Sequence, residues 1–271
     1  VVDSARLPGH GTIARMSALP SPQLYILTGA SRGMGLAMAQ ALLQPGHELL
    51  CLARRPADAL DAAARAAGVP LTQWPVDLGD AAPVAARLGA WLAGLDPARF
   101  ASATLINNAG TIPPIVPLRD AAAVDTAQAL RVGLEAPMLL STAFLHATRG
   151  WRGARRVLNI SSGLGRRAMA SQAGYCAAKA GMDHFTRCLA LDEAGQPGGA
   201  RVCSLAPGVI DTDMQVQLRG ADPAHFPDIG NFQQLQQGGQ LASPEDAARK
   251  VLAYLARPDF GSQPVADVRD A

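Results

Sequence analysis

Short apolar runs closed off by turn residues alternate along this chain with longer stretches whose apolar positions recur every three or four residues. The first such pair is LYILTG, residues 24–29, followed by GLAMAQALLQ, residues 35–44. Compact apolar runs of this length predict strands, and the three-to-four spacing predicts amphipathic helices. The pairing repeats in ELLCLA with ADALDAAARAAG, in LTQWPVD with AAPVAARLGAWLAG, and in ATLINNAG with one long helix over residues 121–149. ARRVLNISS then leads into a helix through YCAAKAGMDHFTRCLALDE, and ARVCSLAPG, the helix SPEDAARKVLAYLAR and a short strand near QPVAD complete the series. Residues 211–242, which include NFQQLQQGGQ, show neither period and are expected to form a lid or a floppy loop.

Regular strand–helix alternation predicts an α/β fold, because right-handed crossovers between parallel strands lay helices on both faces of a sheet. About seven strands fit one open, doubly wound parallel sheet. Residues 21–271 contain no repeat or linker and are expected to be a single domain, whereas residues 1–20, rich in Pro, Gly and small polar residues, read as a disordered extension with Met16 as an alternative start. Apolar residues on the long helix, among them Val132, Met138, Leu139 and Phe144, exceed what one sheet face needs.

Composition narrows the function classes. Net charge is only +2 and aromatic content 4%, with no long basic run, which leaves neither an electrostatic footprint nor stacking platforms for nucleic acid. The four cysteines, Cys51, Cys176, Cys188 and Cys203, form no CxxC pair, and the histidines form no metal-ligand motif, so no metal site is expected. The thiols read as buried or half-buried in a reducing, cytoplasmic protein. No apolar run approaches a membrane span, and the first twenty residues lack the apolar core of a signal peptide.

TGASRGMG sits between the first strand and the first helix. Gly29, Gly33 and Gly35 would allow a tight turn, close approach of backbone to phosphate and close helix packing, with the helix N-terminus offering N–H groups to a pyrophosphate. The end of the second strand reads Ala53, Arg54, Arg55, with no acid to bind a ribose 2′-hydroxyl. Arg54, helped by Arg32, would instead suit the 2′-phosphate of NADP, the alternative being that both are solvated loop residues. Asp77, ending the third strand, could accept from an adenine amino group or simply cap the next helix.

Tyr175 and Lys179 lie one helical turn apart in a chain with only three tyrosines and two lysines. A cation beside a phenol favours phenolate and would lower a pKa that starts near about 10, toward useful acid–base work. Ser162 follows the fifth strand, at the carboxyl edge where ligands bind such sheets, and could donate to a carbonyl oxygen. Lys250 and Tyr254 share the four-residue spacing in reverse order, without a serine counterpart, and read as a surface pair.

Together, TGxxxGxG at residues 28–35, NNAG at residues 107–110, Ser162 with Tyr175 and Lys179, and Pro207–Gly208 resemble the short-chain dehydrogenase/reductase family, in the right order from residue 24 onward. The resemblance implies a Rossmann-type fold binding NADP(H), with Tyr175 as proton donor or acceptor, Ser162 polarising the carbonyl, and Lys179 binding the nicotinamide ribose and tuning Tyr175. It further implies a cofactor cleft built from Thr28, Gly29, Ser31, Arg32, Gly33, Met34 and Gly35, from Asp77 and Leu78, and from Asn107, Ala109 and Gly110. Pro207 and Gly208 would adjoin that cleft, with Val209 and Thr212 near the carboxamide and pyrophosphate. NISSGLGRRAMASQAGYCAAKAGMDHFTR and APGVIDTDMQ look most like sepiapterin reductases and bacterial benzil reductases. By that likeness Asp267 would match a pterin-anchoring aspartate, the alternative being a solvated tail residue. The apolar Leu164, Met169, Met214 and Leu218 would line the substrate pocket, the alternative being that they belong to the core.

One departure stands out. The family carries a catalytic asparagine in the long helix, where RVGLEAP has Gly133. The resemblance thus implies an NADPH-dependent carbonyl reductase acting on a ketone or α-dicarbonyl, as a homodimer or homotetramer. A dinucleotide-binding regulator or scaffold that kept the fold and lost turnover is the alternative, and Gly133 is its support.

Overall fold

The computed structural model describes residues 22–270; the extension expected over residues 1–20 lies outside them. Seven strands, β1 (Gln23–Thr28), β2 (His47–Ala53), β3 (Leu71–Pro75), β4 (Ser102–Asn107), β5 (Ala154–Ile160), β6 (Arg201–Ala206) and β7 (Val265–Asp267), form one parallel sheet in the order β3-β2-β1-β4-β5-β6-β7. The order reverses between β1 and β4, which opens a crevice at their carboxyl ends, the place where ligands bind doubly wound sheets.

Both faces of the sheet are buried, so the strands read as continuous apolar runs rather than alternating ones. On β1, Tyr25 and Leu27 face a layer with α1 (Gly33–Ala41), α2 (Asp58–Ala67) and α9 (Pro244–Leu255), where Met38, Leu60 and Val251 are buried. Leu24 and Ile26 face the other layer, where Leu88 of α3 (Ala81–Ala93), Phe144 of α5 (Ala136–Ala147) and Leu189 of α6 (Ala173–Ala194) close the core.

The long helix expected over residues 121–149 is present in three parts: α4 (Ala123–Leu130), a π-helical segment Arg131–Glu135, and α5. Of its apolar residues, Phe144 is wholly buried in the chain's own core, whereas Met138 is 39% exposed. Gly133 lies in the π segment, and a Cβ there would stand 3.0 Å from the Cβ of Ala178 on α6. The absent side chain is what lets the two helices approach so closely.

Three expectations are corrected. Residues 211–242 are not a floppy loop: they hold α7 (Asp213–Arg219) and α8 (Ile229–Gln237), joined to the body by a parallel bridge between Ile210 and Ala242. Leu218, Phe226 and Phe232 supply the buried apolar surface that makes them fold, and the two phenylalanine rings stack at 5.6 Å. Tyr254 is not a surface residue but packs edge-on against Phe260 beneath α9, because burying its ring outweighs the polarity of its neighbours. Cys188 is exposed, unlike the buried Cys51 and Cys203.

Among the described residues no helix is long and apolar enough to cross a membrane, and no cluster of three or more His, Cys, Asp or Glu side chains could hold a metal ion.

The β1–α1 turn depends on glycine at one position above all. A Cβ on Gly35 would fall 2.0 Å from the Gly29 carbonyl oxygen and 2.5 Å from Asn108 Nδ2. Gly35→Ala is expected to lower the unfolding free energy by about 3 kcal/mol in urea titration, since backbone cannot yield as a flexible side chain can. Gly68→Ala, at φ +64 with open space around it, should cost only about 1 kcal/mol. Equal losses at the two positions would contradict this packing account.

Candidate active site

The carboxyl ends of β1 and β4 are stitched together by side chains. Thr28 Oγ1 accepts from the backbone N–H groups of Asn108 and Ala109, each at 2.9 Å, and Asn108 Nδ2 donates to the carbonyls of Thr28 and Gly29 at 3.0 and 3.3 Å. Gly29 and Gly33 adopt positive φ, +71 and +53, and a Cβ on Gly29 would meet Ala109 Cα at 2.9 Å. The N-terminus of α1 has no capping side chain and no acid in its first turn. Its free N–H groups and positive dipole therefore suit an anionic ligand, and Thr212 closes on the turn beside Gly33.

Around this cradle the remaining cofactor candidates fall into different situations. Arg54 is exposed at the end of β2 with no ion-pair partner among the described residues. Arg32 is exposed and paired with Asp213, which links the glycine turn to the start of α7. The Asp77 carboxylate accepts from the Gly79 N–H at 2.8 Å and so caps a 3₁₀ turn, with Leu78 buried behind it. Ser31 is half-buried and Met34 buried, while Pro207 is buried and Gly208, at φ +84, turns the chain toward Val209 and Thr212. Gly110 sits close to the Lys179 ammonium.

Asn107 departs from its expected place. Its side chain is 2% exposed and donates to Asn159 Oδ1 at 2.8 Å and Ser141 Oγ at 3.3 Å, so it turns into the helical layer, away from the cleft. Asn108, which sequence reasoning passed over, ties the cleft together. Adjacent residues at a strand end point to opposite sides, and that alternation was the available signal.

Ser162, Tyr175 and Lys179 converge. Ser162 follows β5, where its Oγ accepts from the Leu164 N–H at 3.2 Å and caps the 3₁₀ turn Gly163–Gly165. Tyr175, in the first turn of α6, faces it. Lys179, one turn later and 5% exposed, donates to the Ile160 carbonyl at 2.7 Å, with its Nζ 5.7 Å from the centre of the Tyr175 ring.

Burial governs the charges here. The Tyr175 phenol is pushed up to about 12 by desolvation, against the opposing pull of the Ser162 hydroxyl. Lys179 is pulled down to about 8 by burial, with the Asp183 carboxylate working against that fall. The expectation that the lysine would bring the phenol below its usual value is therefore corrected: both groups are buried, the ammonium points to the Ile160 carbonyl, and desolvation dominates.

Beside this trio lies an apolar cluster. Leu164, Met169, Met214 and Leu218 pack with Ile115, Phe226 and Phe232, and Cys176, next to Tyr175, joins them. Asp267 lies elsewhere. Its carboxylate is 4% exposed and held by Arg269, through Nε at 2.9 Å and Nη2 at 2.6 Å, with Arg166 at 4.0 Å.

Residues 23–222 match the family model described as short chain dehydrogenase. The chain belongs to the short-chain dehydrogenase family. This dehydrogenase is 33% identical over 235 residues to the benzil reductase ((S)-benzoin forming) of Bacillus subtilis (strain 168), covering 87% of this chain and 94% of that one. It is 33% identical over 260 residues to the sepiapterin reductase of Rattus norvegicus, covering 90% and 95%. Among solved structures, an Agrobacterium tumefaciens protein with bound NADP superposes with a TM-score of 0.72 at 26% identity, covering 91% of this chain and 94% of that one. The family assigns this dehydrogenase to oxidoreductases acting on carbonyl or hydroxyl groups.

The depressed Lys179 carries a stability prediction for the cofactor-free dehydrogenase. Below pH 8 the lysine is charged in both states and the folded state bears the cost of burying that charge. Between about 8 and 10.5 the unfolded chain keeps a proton that the folded one has released, so this contribution to stability rises with pH across that window. Lys179→Met should therefore raise the unfolding free energy at pH 7 by about 2 kcal/mol after allowing for the lost hydrogen bond. In urea titrations the advantage should disappear above pH 10.5. A variant less stable than wild type at pH 7 would contradict the assignment.

Proposed function

We propose that this dehydrogenase is an NADPH-dependent carbonyl reductase for aryl ketones and α-dicarbonyl compounds of the benzil type. The observation that carries the reading is the convergence of a buried Tyr175 phenol with the Ser162 hydroxyl and the Lys179 ammonium beside an apolar cluster. A protonated phenol is the state needed for reduction, where a proton must be given to the carbonyl oxygen.

When bound, the nicotinamide cofactor supplies the hydride. The uncapped N-terminus of α1, the glycine turn and Thr212 would hold its pyrophosphate, and Arg54, with Arg32 once released from Asp213, would hold a 2′-phosphate. Ser162 orients the substrate oxygen by a hydrogen bond. Tyr175 donates its proton to that oxygen, and the Lys179 ammonium, buried under the phenol ring, favours the phenolate left behind. The apolar cluster excludes water and receives aryl groups.

Benzil-type substrates are favoured over a pterin by the state of Asp267, whose carboxylate is already engaged by Arg269 and Arg166. An anchor for a pterin's N–H groups would have to give up that pairing first. Gly133 does not argue for an inert scaffold on this reading: Ser162, Tyr175 and Lys179 keep a mutual arrangement that needs no group from position 133. Exposed apolar side chains on α4 and α5, Val124 at 70% and Met138 at 39%, support a homo-oligomer.

The test is oxidation of NADPH in the presence of benzil, sepiapterin and simple diketones. Wild type should turn over benzil, with Tyr175→Phe lowering kcat/KM by about 10²- to 10⁴-fold. NADPH should be preferred to NADH, and Arg54→Ala should cost NADPH about tenfold in KM while leaving NADH unchanged. Tight NADPH binding with no turnover across the panel would overturn the reading.

A further inference from the structure

Asp183, which neither the motifs nor the proposed chemistry uses, is 1% exposed. Its Oδ1 accepts from Ser161 Oγ and from Ser204 Oγ, each at 2.6 Å, and its Oδ2 receives Arg166 Nε at 3.3 Å. Ser161 and Arg166 bracket Ser162 and the Gly163–Gly165 turn. At Gly165 a Cβ would lie 2.9 Å from Asp183 Oδ2, so the turn rests directly against the carboxylate. Arg166 Nη2 also donates to the Ala266 carbonyl at 2.8 Å, which anchors the far end of this loop on β7.

The three residues of α6 that meet residues 160–162 are evenly spaced. Tyr175 faces Ser162, Lys179 holds the Ile160 carbonyl, and Asp183, one turn further, holds the Ser161 hydroxyl. Positions four apart share a helical face. Tyr-x3-Lys thus extends to Tyr-x3-Lys-x3-Asp, and the whole face grips residues 160–162.

We propose that Asp183 is a positioning residue for Ser162: by holding Ser161 before it and Arg166 after it, the carboxylate fixes the hydroxyl that orients the substrate oxygen. Burying a carboxylate is costly, and such groups are often replaceable by apolar ones without loss of stability. The geometry it enforces is a reason for keeping it here. The proposal rests on reading Ser162 and Tyr175 as the reacting pair.

Ser161→Ala removes one hydrogen bond from Asp183 beside Ser162, and Ser204→Ala removes an equivalent bond on β6, away from it. Ser161→Ala should lower kcat for benzil by about ten- to a hundredfold while the NADPH dissociation constant stays within about twofold. Ser161→Thr, which keeps the hydroxyl, should recover most of the rate, and Ser204→Ala should stay within about threefold of wild-type kcat. Equal losses in the two alanine variants, or wild-type kcat in Ser161→Ala, would overturn the proposal. Crystal structures of the same variants decide the point without turnover: Ser162 Oγ should shift away from the Tyr175 phenol in Ser161→Ala and not in Ser204→Ala. An unmoved Ser162 overturns the positioning role. A wild type inactive on every carbonyl overturns the reductase reading alone.

Discussion

The grip of one face of α6 on the last residues of β5 is the constraint on which the candidate site depends. A helix crossing a strand end can place side chains only at positions separated by whole turns, and residues 175, 179 and 183 use three successive turns. Their targets are the Ser162 side chain, the Ile160 carbonyl and the Ser161 hydroxyl. The long helix packs against α6 beside this face, with its close approach at Gly133 and Ala178. A larger residue at 133 would press on Ala178, the neighbour of Lys179, so the glycine is tied to the placement of this face.

The same burial that fixes the geometry sets the protonation states. Desolvation works in opposite directions on an acid and a base, raising the phenol and lowering the ammonium. The result is a proton held firmly on Tyr175 and a lysine whose charge is sustained partly by Asp183. It also means that the charged lysine is tolerated at a cost to folding, a pattern common where function and stability compete.

Much of this was legible in the sequence, for identifiable reasons. Strand and helix alternation is written in local periodicity, and the sheet follows it through β7. The glycine turn was legible because backbone geometry there requires residues without a Cβ, as Gly29 and Gly35 do. The spacing of Tyr175 and Lys179 was legible because helical geometry converts spacing into proximity. What escaped depends on tertiary burial. The helices within residues 211–242 draw their apolar anchors from Leu218, Phe226 and Phe232, too widely separated to form a period. The direction of the Tyr175 shift, the core position of Tyr254 and the inward turn of Asn107 are set by what packs around them. The pairing of Asp267 with Arg269 is local in sequence, but Arg166 reaches it from a hundred residues away.

A crystal structure of the protein with NADP⁺ and benzoin tests the central claim most directly. The account predicts the pyrophosphate on the N-terminus of α1 and the carbinol oxygen within hydrogen-bonding distance of both the Tyr175 hydroxyl and Ser162 Oγ. A benzoin oxygen bound instead beside Arg166 and Asp267, with Tyr175 unengaged, would contradict it.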